Sequence, residues 1–293
     1  MVLAVGCRFS EFTTGRWTLL SPGCDLIQVD IDPDSLGRTY VPAIGICADA
    51  AQATSALADA ADAMVPAPDP ARAAWLASVR AEYQRQAQLP ARCPAPGSGK
   101  VSSAALVSAL RTVLGRTRAT VVQDAPSLGV WIQRYLGFCT PGSYYAAGGG
   151  SMGWGFPAAM GMQLARPDER FITVSGDGSF WMVAQDLETA VRENLPVITV
   201  INNNFAFGNT RDRQRAAHGG RYLGVFYTNP DFAAFARLLG AHGERVEQDA
   251  DLVPALERAL ASGLPAVIDV IQDQHEGLPP GLLPPAARQP RFP

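Results

Sequence analysis

Six short, nearly continuous apolar runs rich in valine and isoleucine constrain this chain more than any other feature. They lie at residues 2–6, 26–31, 120–124, 171–175, 197–201 and 266–271. Runs this short and this uniformly apolar suit strands buried on both faces of a parallel sheet. Helical periodicity fills the intervals. Residues 102–114 place Leu106, Leu110, Val113 and Leu114 on one face. Residues 231–239 and 251–260 repeat the pattern, opened by Asp231 and Asp251, whose charge complements a helix N-terminus. Strand alternating with helix predicts an α/β fold, a doubly wound parallel sheet.

The 293 residues suffice for about two domains. Pro66, Pro68 and Pro70 open a segment in which residues 75–88 read as a connecting helix. Pro90, Pro94, Pro96, Gly97 and Gly99 then form a linker. This predicts a first unit over 1–65, a connector over 66–97 and a main domain over 98–293. The proline-rich tail after Gly277 is expected to wrap the surface or to move. Two strands and one helix bury too little surface to stand alone. The first unit therefore reads as the C-terminal half of a partial Rossmann-like, doubly wound domain whose first half is absent.

Composition narrows the function classes. The chain has 24 Lys and Arg against 27 Asp and Glu, so it lacks the cationic footprint that nucleic acid binding needs. No apolar run reaches the ~18 residues of a membrane span, and no basic n-region precedes an apolar stretch at the start. The five cysteines are scattered without a CxxC pair, which suggests neither a disulfide framework nor a zinc site. A cytoplasmic protein, binding neither nucleic acid nor membrane, is expected.

Chemistry concentrates in one stretch. The run at 171–175 enters Gly176-Asp177-Gly178-Ser179, and a helix is expected to continue through Leu187 and Val191. The next run ends in Asn202-Asn203-Asn204, with Asn204 standing 27 positions beyond Asp177. That is the length of one strand–helix–strand crossover, so both turns open at the carboxyl ends of adjacent strands, where open α/β sheets bind ligands. A carboxylate, an amide oxygen and a nearby carbonyl are oxygen ligands of the kind Mg²⁺ takes. The glycines permit a tight turn and close approach, and the amides that follow can receive a diphosphate. A lone Gly-Asp-Gly is most often an ordinary turn; the asparagines at this spacing change the weight.

These residues, with Ala147 through Ala159 before them and Asn203 through Gly208 after, resemble the signature of thiamine diphosphate-dependent enzymes. The chain is similar to the acetolactate synthase-like members, and also to benzoylformate decarboxylase, pyruvate decarboxylase and glyoxylate carboligase. Residues 2–10 and 29–33 resemble the family's central domain, so the resemblance covers nearly the whole chain. It implies thiamine diphosphate and Mg²⁺ as cofactors. Asp177, Asn204 and the Ala206 carbonyl would be the metal ligands. Gly178 and Ser179 would face the diphosphate. Met152 would support the cofactor from below, or else pack in the core, and the Gly150 carbonyl would accept from the pyrimidine amino group. Ser151, Gly176, Phe207 and Gly208 complete the implied cofactor-binding set.

The implied reaction is that of a 2-oxo acid carboligase. A C2 carbanion attacks the substrate, and the enamine left by decarboxylation condenses with a second carbonyl compound. A simple 2-oxo acid decarboxylase, or an incomplete cofactor-binding chain without independent activity, are the alternatives. The family's activating glutamate belongs to a pyrimidine-binding domain to which nothing here corresponds. Glu82, Glu188 and Glu193 read as solvated helix faces, so no catalytic residue is expected in this chain. The glutamate would come from a pyrimidine-binding domain or subunit, within a homo-oligomer if the protein is complete. A break inside the central domain favours a truncated reading frame or gene remnant over a natural split. Asp212-Arg213 stands where acetolactate synthases carry Gln-Trp, and the spacing of Arg211 and Gln214-Arg215 is closer to glyoxylate carboligase. These arginines would hold a substrate carboxylate, or form a solvated basic turn. FAD is not favoured, because Glu11-Phe12 replaces the acidic–Arg pair usual in the flavin-binding central domain. A dinucleotide site is disfavoured by the lack of GxGxxG after the first run.

Overall fold

Continuous apolar runs do become parallel strands. In the first unit, which reaches Ser78, β1 (Val2–Val5), β2 (Leu26–Asp30) and β3 (Ile44–Cys47) pair in that order, all parallel. Helix α1 (Ala50–Met64) follows them, and α2 (Pro70–Gln86) leads into the second unit. The computed structural model describes residues 1–11, 13–64, 69–90, 100–124, 126–138 and 140–279. Phe12, Pro66, Pro68, Cys93, Cys139, the linker over 91–99 and the tail from 280 lie outside them. The connecting helix begins five residues before the expected 75, because Asp69 accepts from the Ala71 amide at 2.9 Å and Pro70 supplies a preset first turn.

The second unit, from Val79, carries one six-stranded sheet. In chain order its elements are α3 (Ser103–Arg116), β4 (Ala119–Gln123), α4 (Gly129–Tyr135), β5 (Tyr144–Ala146), α5 (Gly155–Ala165), β6 (Arg170–Gly176), α6 (Asp177–Phe180) and α7 (Asp186–Arg192). Then come β7 (Ile198–Asn203), α8 (Gly208–His218), α9 (Phe232–Leu238), β8 (His242–Val246), α10 (Leu252–Ser262) and β9 (Ala266–Ile271). The strands run in the order β5-β4-β6-β7-β9-β8, all parallel. Alternate strand residues serve two cores. Val121, Ile172 and Val200 pack with α3, α4 and α10, while Val122, Phe171 and Ile201 pack with α5, α7 and α9. This is the doubly wound arrangement. Chain order reverses between β4 and β6, and such a reversal leaves a crevice at the strands' carboxyl ends.

Sequence reading missed three strands, β3, β5 and β8, and all three lie at sheet edges. An edge strand is covered less completely, so Ile44-Gly-Ile-Cys and His242-Gly-Glu-Arg-Val carry no continuous apolar run. The helix expected from Ser179 through Val191 is broken. Residues 181–185 tighten into turns, with Met182 N–H donating to Ser179 O and Val183 N–H to Phe180 O. No helix among the described residues is long and apolar enough to cross a membrane.

Candidate functional site

Gly176 and Asn202 are register partners on β6 and β7, so the turns after these strands leave the sheet side by side. Asp177, Asn204, Ala206, Met152 and Tyr227 line one cleft there, together with Gly176, Gly178, Ser179, Phe207 and Gly208. Pro126 and Ser127, just after β4, close it on the far side of the chain reversal. Of the residues singled out in sequence, Gly150 and Ser151 are not in this lining. Both are exposed, and Gly150 adopts φ +65 in the turn before Met152. Met152 is 37% exposed at the cleft, which removes the core-packing reading.

Asp177 is the buried hub. Its Oδ1 accepts from the Gly178 amide at 2.9 Å and the Tyr227 hydroxyl at 2.8 Å. Its Oδ2 accepts from the Phe205 amide and from Asn229 Nδ2, each at 2.8 Å. Burial pushes this carboxyl above its usual range, and the four donors oppose the shift. Beneath it, Phe180 meets Phe232 edge-on with centroids 5.5 Å apart, pinning α6 to α9.

Adjacent asparagines at a strand end point opposite ways, and the two here divide the work. Asn204 faces the cleft; its Oδ1 accepts from the Ala206 amide at 3.2 Å and its Nδ2 donates to Ser127 Oγ at 3.3 Å. Asn203 is fully buried. Its Oδ1 accepts from Asn229 at 2.9 Å, and its Nδ2 donates to Asp269 at 2.8 Å. A hydrogen-bonded line thus runs from Asp269 in β9 through Asn203 and Asn229 to Asp177.

Burial pushes Asp269 up to about 6, against the Asn203 bond and an Arg245 guanidinium 3.7 Å away. A carboxyl raised in the folded state from 3.8 holds a proton that the unfolded chain releases. Its stabilising contribution is full below the unfolded value and fades as pH rises through the folded one. Unfolding should therefore need more urea at about pH 4.5 than at about pH 7, and Asp269→Asn should reduce that difference.

Three residues that sequence reading did not single out shape the site. Tyr227 and Asn229 lie in the loop before α9, and no spacing rule ties that loop to Asp177. Asp124 closes β4, and its carboxylate accepts from the amides of Gly153 and Gly155, each at 3.2 Å, and from Ser175 Oγ at 3.3 Å. It thereby joins the Met152 turn to the end of β6. A Cβ on Gly155 would sit 2.9 Å from Asp124 Cβ and 3.0 Å from its backbone nitrogen. Gly155→Ala should cost about 1–3 kcal/mol by overpacking, read as a lower denaturation midpoint. Of the two glycines beside Asp177, only Gly178 is closely approached, with Phe207 and the Tyr227 hydroxyl each 2.8 Å from where its Cβ would be. Gly176 has ordinary extended backbone.

Arg211 does not behave as expected. Arg211 is fully buried in α8, donating to the carbonyls of Gln274 and Glu276 and, at 3.0 Å, to Asp212. Arg215 donates to the His275 carbonyl at 2.9 Å and to the Tyr222 hydroxyl at 3.1 Å. Arg211 is thus neither part of a solvated turn nor free to meet a substrate carboxylate; it fastens the segment after β9 to α8. Glu82, Glu188 and Glu193 are exposed and bonded to Arg85 or Arg192.

Among the described residues no three His, Cys, Asp or Glu side chains cluster as a metal site. A cation in the cleft would rest on one carboxylate and neutral oxygens, a donor set suited to Mg²⁺ shared with phosphate and water. The carboxylate of Asp177 and amide oxygen of Asn204, both in the cleft lining, fit that role.

Two models of one enzyme family match this chain. Residues 124–270 match the thiamine pyrophosphate enzyme C-terminal TPP-binding domain, and residues 1–57 match the central domain of the same enzymes. The chain is 28% identical over 291 residues to a probable acetolactate synthase large subunit of Methanocaldococcus jannaschii, covering 98% of this chain and 48% of that protein. It is 30% identical over 287 residues to the acetolactate synthase large subunit of Parasynechococcus marenigrum, covering 96% and 45%. It is 30% identical over 296 residues to the acetolactate synthase isozyme 2 large subunit of Escherichia coli, covering 98% and 50%. The chain thus spans about half the length of these curated relatives.

Proposed function

The chain belongs to the thiamine pyrophosphate enzymes, and we propose that it forms the diphosphate- and Mg²⁺-binding half of an acetolactate synthase-like 2-oxo acid carboligase. The observation that carries this reading is the convergence of Asp177 and Asn204 at the carboxyl ends of β6 and β7 in one cleft with Met152. Thiamine diphosphate, when bound, supplies the nucleophilic carbon and the electron sink for decarboxylation. This chain's residues do the holding. Asp177, Asn204 and the Ala206 carbonyl are assigned to Mg²⁺. Gly178 and Ser179 are assigned to the diphosphate, with Gly176, Phe207 and Gly208 shaping the turn around it. Met152, half open to the cleft, supports the cofactor body, and Gly150 and Ser151 complete the loop that presents it.

No proton-transfer role falls to Glu82, Glu188 or Glu193, whose carboxylates are exposed and engaged with arginines or glutamine. The activating carboxylate is assigned to a pyrimidine-binding domain or subunit. The relatives are named as large subunits, which supports a multi-chain assembly. Pyruvate, alone and with an acceptor aldehyde, tests the reading. Condensation products from the assembled protein support a carboligase, whereas release of the simple aldehyde alone favours a decarboxylase. Absence of both products despite Mg²⁺-dependent cofactor binding would leave only the incomplete-chain reading.

A further inference from the structure

A carboxylate offers about four lone-pair sites, and at Asp177 all four are engaged. Any cation that binds through Asp177 must therefore replace one of its donors. Two are backbone amides, of Gly178 and Phe205, fixed by the turns that contain them. Asn229 is held at three points, since its Nδ2 also donates to Asn203 Oδ1 at 2.9 Å and its Oδ1 accepts from the Trp181 indole at 2.9 Å. Tyr227 differs. It is half-buried, it lines the cleft beside Asn204, and it reaches Asp177 only through the end of a rotatable side chain. Its ring packs against Phe207 with centroids 4.9 Å apart, and the Phe207 ring and the Tyr227 hydroxyl both lie close to Gly178, the residue assigned to the diphosphate.

We infer that the Tyr227 hydroxyl competes with the divalent cation for Asp177 Oδ1, so that loading the site requires this tyrosine to swing away, taking its contact with Phe207 along. Tyr227 is in this sense a positioning residue that sets how tightly the chain holds its metal. A neutral hydroxyl cannot match a dication in attraction to a carboxylate, but it withholds one lone pair until displaced, and the lost bond subtracts from metal affinity. The inference rests on the Mg²⁺-dependent reading above, so its test carries a control for that reading.

The experiment titrates Mn²⁺ into the full chain with saturating thiamine diphosphate and follows free Mn²⁺ by its electron paramagnetic resonance signal. Tyr227→Phe keeps the ring and its packing on Phe207 while removing the hydroxyl. It should bind Mn²⁺ about tenfold more tightly than the wild type, given the usual worth of a hydrogen bond to a charged group. Tyr227→Leu should also bind more tightly, which guards against a defect peculiar to one variant. In the wild type, Mn²⁺ should also shift the near-ultraviolet tyrosine absorption, and Tyr227→Phe should lose that shift. Unchanged or weaker Mn²⁺ binding in both variants, while Asp177→Ala loses it, would overturn the role of Tyr227 and leave the metal reading intact. Mn²⁺ bound equally by wild type and Asp177→Ala, or by none of the proteins, would overturn the metal reading and this inference with it.

Discussion

Asp177→Ala is expected to abolish Mg²⁺-dependent binding of thiamine diphosphate, weakening it by at least about a hundredfold, because a charged ligand and the groups it orients go together. The loss has two sources. The cation loses its one carboxylate, since the remaining assigned ligands, Asn204 and the Ala206 carbonyl, are neutral. The turn loses its organiser too, because the amides of Gly178 and Phe205, the Tyr227 hydroxyl and Asn229 all converge on this side chain. Asp177→Asn separates the two. It retains the shape and part of the hydrogen bonding while removing the charge, so it should fold close to the wild type and still fail to bind the metal. Calorimetric titration with thiamine diphosphate and Mg²⁺, beside a thermal melt, reads both effects. An Asp177→Asn protein with wild-type cofactor affinity would refute the assignment of this carboxylate to the metal.

The second large effect is on stability. Arg211 is fully buried, and its guanidinium meets the carbonyls of Gln274 and Glu276 together with the Asp212 carboxylate. Arg211→Met would leave those carbonyls without their donor and Asp212 buried beside the more distant Arg215, 3.8 Å away. Removing one partner of a buried charged network costs about 3–5 kcal/mol, a large share of a domain's stability. The segment after β9 should loosen first, because it would lose its two bonds from Arg211 and keep only those from Trp131 to the Gly277 carbonyl at 3.2 Å, from Arg215 to the His275 carbonyl and from Ser103 to the Glu276 carboxylate. Urea unfolding and limited proteolysis within residues 272–279 measure this directly. A midpoint unmoved from the wild type would show that Arg211 does not fasten the segment.

The central strands and the Asp177–Asn204 pairing were legible in the sequence for one reason. Strands buried on both faces must be apolar throughout, and a parallel crossover fixes the distance between the turns that follow them. Three of the four edge strands escaped because their exposed side tolerates residues such as Gly, His, Glu and Arg, as in β8. The hydrogen-bonding partners of Asp177 escaped for a different reason. Tyr227 and Asn229 lie 50 and 52 residues further along the chain, in a loop brought back over the cleft by tertiary packing that leaves no periodic trace. Asp124 ends a strand that was recognised, yet nothing local marks its carboxylate as the acceptor for the Gly153 and Gly155 amides. Arg211 was misread because charge in sequence suggests solvent, whereas here the carbonyls of a returning segment compensate its burial.

The cleft at the ends of β6 and β7 is proposed to hold a diphosphate through a divalent cation. Isothermal titration of thiamine diphosphate into the wild-type chain, once with Mg²⁺ and once with excess EDTA, tests it most directly. Saturable binding of one cofactor per chain that EDTA abolishes is the predicted result. Equal binding in both conditions, or no binding with Mg²⁺ present, would contradict it.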